Sequence, residues 1–328
     1  MAVDSPALVK ELYNSGMQER SPNNLVFNFG GFTVDLQISV FDPRRGFFDL
    51  PVSLPFSLVY SGVVLEESEI FLVGGWRGWP EGLSSGLHKF NLEDWTFTTL
   101  SSMNEVRSSH AVTKIGKMIY ALGGSGSGGW EVRTVERYDI TKDQWTDCGE
   151  MKDPRSGAGV AALNGLIYVI GGFNQSGHLS SVEIFDTEKG TWTMGKPLMK
   201  KRSGVQAAVL NGKIYVVGGS SGWLESLRCG EVFDPNTGEW TELPKMNVPR
   251  SNYSLFVADG QLMVVGGIDG VDVWESLTET TEILDLKTNT WIFDKAMKDA
   301  KAAVASCSVP VRDMKPELRK KYRDLCSP

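Results

Sequence analysis

The 328-residue chain is short of several things, and each shortage removes a class of function. It has three histidines, His88, His110 and His178, which lack partners at metal-ligand spacing, so an imidazole-based metal or catalytic cluster is not expected. Four cysteines (Cys148, Cys229, Cys307, Cys326) stand far apart with no CxxC pair. That usage fits free thiols in a reducing compartment, and a cytoplasmic location is the expectation. No apolar run approaches the roughly 18 residues a membrane span needs. The first residues, MAVDSPALVKELYNSG, lack the apolar core of a secretory signal. A formal charge of −7 speaks against a general nucleic-acid binder. P-loop, dinucleotide and nucleophile-elbow motifs are missing, and the glycines of GGSGSGG (123–129) follow a strand without opening a helix. No cofactor, metal or catalytic residue is expected.

Glycine, in contrast, is abundant, 36 of 328. Six doublets organise it: Gly30-Gly31, Gly74-Gly75, Gly123-Gly124, Gly171-Gly172, Gly218-Gly219 and Gly266-Gly267, spaced 44 to 49 residues apart. Each closes a short apolar run such as IYVIGG or LMVVGG. In five of six repeats a tryptophan follows 21 to 25 residues later: Trp95, Trp145, Trp192, Trp240 and Trp291. A repeat of this length built from short strands sets the architecture.

Residues 155–199 show the unit most plainly. RSGAGVAAL alternates, Asn164-Gly165 turns the chain, LIYVIGG returns, SVEIFD alternates again, and TWTMGKPLM supplies a fourth strand. The four strands make an antiparallel meander. The glycine pair ends the second strand, where a side chain would meet neighbouring backbone. The fourth-strand Trp and the third-strand aromatic (Tyr138, Phe185, Phe233) supply area for packing between sheets.

The pattern Arg-Ser-Gly…Asn-Gly-x-Ile-Tyr-Val-x-Gly-Gly…Val-Glu-x-Phe-Asp…Trp resembles the kelch repeat over roughly residues 24–309. The resemblance implies an all-β, six-bladed β-propeller of four-stranded antiparallel blades. The first repeat opens at LVFNFGG with no strand before it, and KAAVASCSV (301–309) has first-strand character with nothing after it. Joining the two closes the ring and removes both edges. The expected organisation is an N-terminal extension (1–22), the propeller (23–309) and a basic C-terminal tail (310–328). ALVKELYNSGM and PELRKKYRDL have the pattern of short helices, and both ends are read as solvated segments. The first two repeats depart from the rest. The first has Phe47-Phe48 in place of Trp, and the second has Leu54-Pro55, no arginine, and a short NLEDW turn.

Strand alternation assigns every loop to one of two faces. One carries tight turns, and the other carries the long second-to-third loops and the crossovers between blades. Recognition is expected on the long-loop face. There the crossovers repeat a cation: Arg107, Arg155, Arg202, Arg250 and Lys301. Two roles are open for it, holding loop carbonyls or meeting carboxylates and phosphates of a partner. In the second case Arg155→Ala with Arg202→Ala weakens binding and leaves the melting temperature unchanged. Trp76, Trp79, Trp130, Trp223 and Trp274 are not repeated and all fall in second-to-third loops, where tryptophan marks binding hot spots unless it caps its own blade.

The kelch resemblance implies a protein-recognition module like the substrate-binding propeller of BTB-kelch adaptors of cullin-3 ubiquitin ligases. The partner segment would combine apolar anchors with negative charge. Actin binding or cross-linking, as in kelch itself and the scruins, is the second implication. A metal-dependent enzyme is a remote third, since neither the His, Tyr and Cys set of kelch-like copper oxidases nor the Glu-x-x-x-Asp-x-x-x-His run of specifier proteins is found. Nucleic-acid and membrane partners are not expected.

Overall fold

Alternating apolar residues make the strands, and tight turns fold each group of four into one antiparallel sheet. At Asn164-Gly165, for example, both residues have positive φ (53° and 78°), as a two-residue hairpin between right-twisted strands requires. The computed structural model describes residues 24–31, 36–43, 46–222, 225–270, 276–294, 302–311 and 314–325. These form six four-stranded sheets, the blades of a β-propeller.

Blade 1 is built from both ends of the chain. Its inner strand, Ala305–Pro310, pairs antiparallel with Asn24–Phe29 over six residue pairs, Phe29 opposite Ala305 and Asn24 opposite Pro310. Gln37–Asp42 and Gly46–Ser53 complete it. Blade 2 runs from Gly62–Glu66 to Phe97–Leu100, blade 3 from Ala111–Ile115 to Gln144–Glu150, and blade 4 from Gly159–Leu163 to Thr191–Met194. Blade 5 runs from Ala207–Leu210 to Glu239–Leu243 and blade 6 from Ser254–Ala258 to Thr290–Phe293. Each inner strand packs beside those of the two neighbouring blades, and blade 1 closes the circle between blades 6 and 2.

Between neighbouring blades lie the apolar clusters that hold the ring. One joins Tyr168 and Ile170 of blade 4 to Ile214, Phe233 and Trp240 of blade 5, all nearly sealed from solvent. The repeated tryptophans act here: the indole N–H of Trp145, Trp240 and Trp291 donates to the carbonyl of Ser101, Lys196 and Pro244 in the preceding crossover, at 2.8 to 2.9 Å. Trp192 packs on Phe185 without an indole hydrogen bond, and Trp95 departs further. The short turn before it leaves Trp95 at φ 64°, and Phe97 takes the packing place against Phe90 (ring centroids 4.8 Å apart). In blade 1, Phe47 packs on Phe41 in the same way (4.7 Å).

The displaced Trp95 receives the C-terminal helix, α1 (Pro316–Leu325). Its indole N–H donates to the Tyr322 hydroxyl (3.1 Å), which in turn reaches the Leu92 carbonyl (3.3 Å). Lys321 lies over the Trp95 ring, 3.3 Å from its centroid, and Lys315 pairs with Glu93. Met314 and Tyr322 are buried in the cluster shared by blades 1 and 2. This corrects the expectation of a solvated C-terminal tail: an apolar residue at each end of the segment finds a partner on the blades. The N-terminal extension (1–22) lies outside the described residues.

A second closure runs around the axis. Tyr60, Ser109, Gly157, Gly204, Asn252 and Ala303, one at the entrance to each inner strand, all adopt left-handed backbone with φ between 50° and 59°. Five of their amides, and the amide of Val205 beside Gly204, link blade to blade. Ser109 N–H donates to Tyr60, Gly157 to Ser109, Val205 to Gly157, Asn252 to Gly204, Ala303 to Asn252 and Tyr60 to Ala303, at 2.8 to 3.4 Å. Left-handed backbone at a non-glycine residue is uncommon, and the ring's hydrogen bonds offset its cost. Beside this ring lies a cavity of about 250 Å³ lined by residues at and just before the inner strands, among them Ser61, Gln206 and Ser306.

Candidate functional site: the long-loop face

The glycine doublets sit at the root of this face and show why the repeat needs them. The first glycine of each internal doublet has φ of 58° to 64°, and a Cβ there would lie 2.5 to 2.8 Å from the carbonyl oxygen of the next blade's arginine at Gly74, Gly123, Gly171 and Gly218. The second glycine's N–H donates to that same carbonyl: Gly75 to Arg107, Gly124 to Arg155, Gly172 to Arg202 and Gly219 to Arg250, at 2.7 to 2.9 Å.

The arginine side chains turn the other way, into their own blades. Arg107, Arg155, Arg202 and Arg250 are 0 to 1% exposed. Each Nη1 donates to the carbonyl of its own blade's first doublet glycine (Gly123, Gly171, Gly218, Gly266) at 2.7 to 2.9 Å. Each Nη2 meets a third-strand carboxylate: Glu136 at 3.2 Å, Glu183 at 2.6 Å, Glu231 at 2.7 Å and Glu282 at 2.8 Å. The same carboxylates accept two backbone N–H groups of the incoming crossover, Asn104 and Glu105 at Glu136, Lys152 and Asp153 at Glu183. Met199 and Lys200 do so at Glu231, Asn247 and Val248 at Glu282. Burial draws the Arg155 and Arg250 pKa values down, and Glu183 and Glu282 oppose it.

The arginines are therefore corrected as ligand contacts. Of the two roles left open by the sequence, holding the crossover is the one these bonds perform, because both Nη groups of each guanidinium are engaged within the blade and its side chain has no exposed surface. Lys301 lies outside the described residues.

Above this frame the long loops of blades 2 to 6 each form a short hairpin arm. In blade 4, Phe173–Asn174 pairs with Gly177–His178, and in blade 5 Ser220–Gly222 pairs with Glu225–Ser226. Single bridges do the same work at Trp76 and Leu83 of blade 2, Ser125 and Glu131 of blade 3, and Ile268 and Leu277 of blade 6. Trp76 occupies the first arm position, bridged to Val59 of the crossover, and is 39% exposed. Trp79 and Trp130 stand at the tips of the blade 2 and blade 3 arms, 89% and 63% exposed. Trp223 and Trp274 fall outside the described residues. Lys200 and Lys201 are exposed on the crossover into blade 5.

The histidines serve the frame. His178 Nδ1 lies 2.9 Å from Ser203 Oγ, joining the blade 4 arm to the next crossover. His110 is buried beside Arg107, which together with burial pulls its pKa down to about 3. His88 stands where blades 3 to 6 have the third-strand glutamate, and Arg77 of the arm donates to its Nε2. Sequence reading missed that pair, although the histidine in the Val-Glu-x-Phe-Asp position was a visible departure. Among the described residues no three His, Cys, Asp or Glu side chains group to hold a metal ion. None of the described helices is long and apolar enough to cross a membrane. Cys148, Cys229 and Cys307 are free thiols.

Comparison with known proteins agrees with this geometry. The KLHDC2/KLHL20/DRC7 Kelch-repeats domain matches residues 52–219, and the Kelch motif matches residues 201–247 and 249–297. Relatives include Kelch repeat-containing protein kel-10 of Caenorhabditis elegans, 27% identical over 48% of this chain and 29% of its own length. Alpha-scruin of Limulus polyphemus is 28% identical over 48% of this chain and 17% of its own. Kelch-like ECH-associated protein 1B of Danio rerio is 30% identical over 42% and 23%. The matched region thus spans under a third of each of these relatives. With the doublets, the six closed blades and a matching domain over half its length, the chain belongs to the kelch-repeat family.

Proposed function

We propose that the chain is a non-catalytic protein-recognition module that holds a partner segment on its long-loop face, as the substrate-binding propellers of BTB-kelch adaptors do. The observation that carries this reading is the exposure of Trp79 and Trp130 at arm tips of adjacent blades. Burying an indole contributes a large apolar area, and polar loops have no folding use for one at 89% exposure. The exposed Lys200 and Lys201 across the ring favour a segment that adds carboxylates to its apolar anchors. Recruitment of a ligase would belong to other domains or to a partner.

Association with actin is the second reading, favoured by the similarity to alpha-scruin. One experiment separates the two. Trp79→Ala with Trp130→Ala is expected to leave the melting temperature unchanged and to weaken binding of a captured protein partner more than tenfold by calorimetry. Unchanged affinity overturns the assignment of the face. Co-sedimentation with filamentous actin at micromolar concentrations supports the second reading, and no pelleting removes it.

A further inference from the structure

Blade 2 lacks the arginine–glutamate lock of blades 3 to 6, and what replaces it bears on the tryptophan arm. Leu58 stands at the arginine position: its carbonyl accepts the Gly31 N–H (2.9 Å), as the Arg107 carbonyl accepts that of Gly75. His88 stands at the glutamate position, paired with Leu72 one residue before the end of the second strand, as Glu136 is paired with Ala121. With both lock residues changed, the cation comes instead from the arm itself. Arg77 reaches down to donate to His88 Nε2, and its guanidinium stacks on Phe56 of the crossover, 4.2 Å from the ring centroid. Phe56 also packs against His88 (4.4 Å), and His88 Nδ1 faces Thr99 Oγ1 of the outer strand at 3.2 Å. In that network Nε2 accepts from the arginine and Nδ1–H donates to Thr99.

Elsewhere the lock ties the crossover to the blade. Here the same strand position ties down the arm. Arg77 is also an arm backbone residue, its N–H donating to Gly82 (2.9 Å), and Gly82 N–H closes the turn on Gly78 (2.7 Å). Trp79 sits in that turn, two residues past the anchor. The blade 3 arm, by comparison, is closed by backbone bonds such as Gly126 N–H to Trp130 (2.9 Å).

We infer that Arg77, seated between His88 and Phe56, is a positioning residue that pre-orders the blade 2 arm and so presents Trp79 to a partner. This rests on the reading of the long-loop face as the recognition surface. Pre-ordering lowers the entropy cost of binding and makes blade 2 the fixed point of the face.

Amide hydrogen exchange of the intact chain tests it without a ligand. The probes are the hydrogen-bonded amides of Trp76, Arg77, Gly82 and Ser84. Arg77→Ala and His88→Leu are expected to accelerate exchange in this segment about tenfold while blades 4 and 5 keep wild-type rates. His88→Gln, which retains an acceptor for the arginine, is expected to keep the arm slow, and so is Trp79→Ala. Arm rates within twofold of wild type in Arg77→Ala, or uniform acceleration in every blade, overturn the inference. Should Arg77→Ala fail to fold, the contrast between His88→Leu and His88→Gln decides in its place. Failure of Trp79 to bind a partner would leave these rates unaltered, so the two readings fail separately.

Discussion

An arginine at 0 to 1% exposure between a carbonyl and a carboxylate is part of the frame, however inviting a ring of cations looks in sequence. Arg155 illustrates the cost of losing it. Its removal leaves Glu183 buried, with a charge that keeps only the Lys152 and Asp153 amides. Breaking a buried pair from one side typically costs about 3 to 5 kcal/mol. Arg155→Ala is therefore expected to lower the unfolding free energy by about that much, read from urea denaturation, instead of leaving stability unchanged. The repeat made both partners visible in sequence, as Arg-Ser-Gly and Val-Glu-x-Phe-Asp. Their pairing was not visible, because spacing says which face a loop shares and not whether a long side chain points outward or folds back under the loop.

Elements show the same limit at α1. PELRKKYRDL reads as a helix from its residues, but nothing in its own pattern names the surface it covers. The clue lay over 200 residues away, in the short NLEDW turn that takes Trp95 out of the interblade seam and leaves it facing Tyr322. Blades with the regular turn have no such platform. Truncating a buried aromatic removes its apolar contacts and leaves a cavity, so Tyr322→Ala is expected to cost about 3 kcal/mol. It would also shift Trp95 fluorescence. The strands themselves were legible almost throughout, since period-two alternation and Asn-Gly or Asp-Gly turns state both the element and its ends.

At the scale of the molecule, the three histidines make stability depend on pH, His178 among them because burial and the Lys201 charge lower its pKa. Burial and the Arg77 charge pull His88 down to about 4, and burial with Arg107 pulls His110 to about 3, both from an ordinary value near 6.5. Between pH 6.5 and 4 the unfolded chain therefore binds protons that the folded chain refuses, and stability falls as pH is lowered through that window. Above it, these groups add no pH dependence. The urea midpoint is expected to drop between pH 7.5 and 5, and His88→Gln is expected to make that drop shallower. The six-blade closure was legible because a strand was missing at one end and spare at the other. The left-handed ring at the inner-strand entrances was not, since Tyr60, Ser109 and Ala303 are residue types that give no sign of positive φ. That ring has a mechanical meaning. A row of repeats frays from its ends, each departing unit giving up one neighbour. A hoop has no end unit, and any blade that leaves gives up two neighbours at once and slackens every other. Loss of Ala303, the last residue of the hoop and the link from Asn252 to Tyr60, should thus be felt as far away as blade 4.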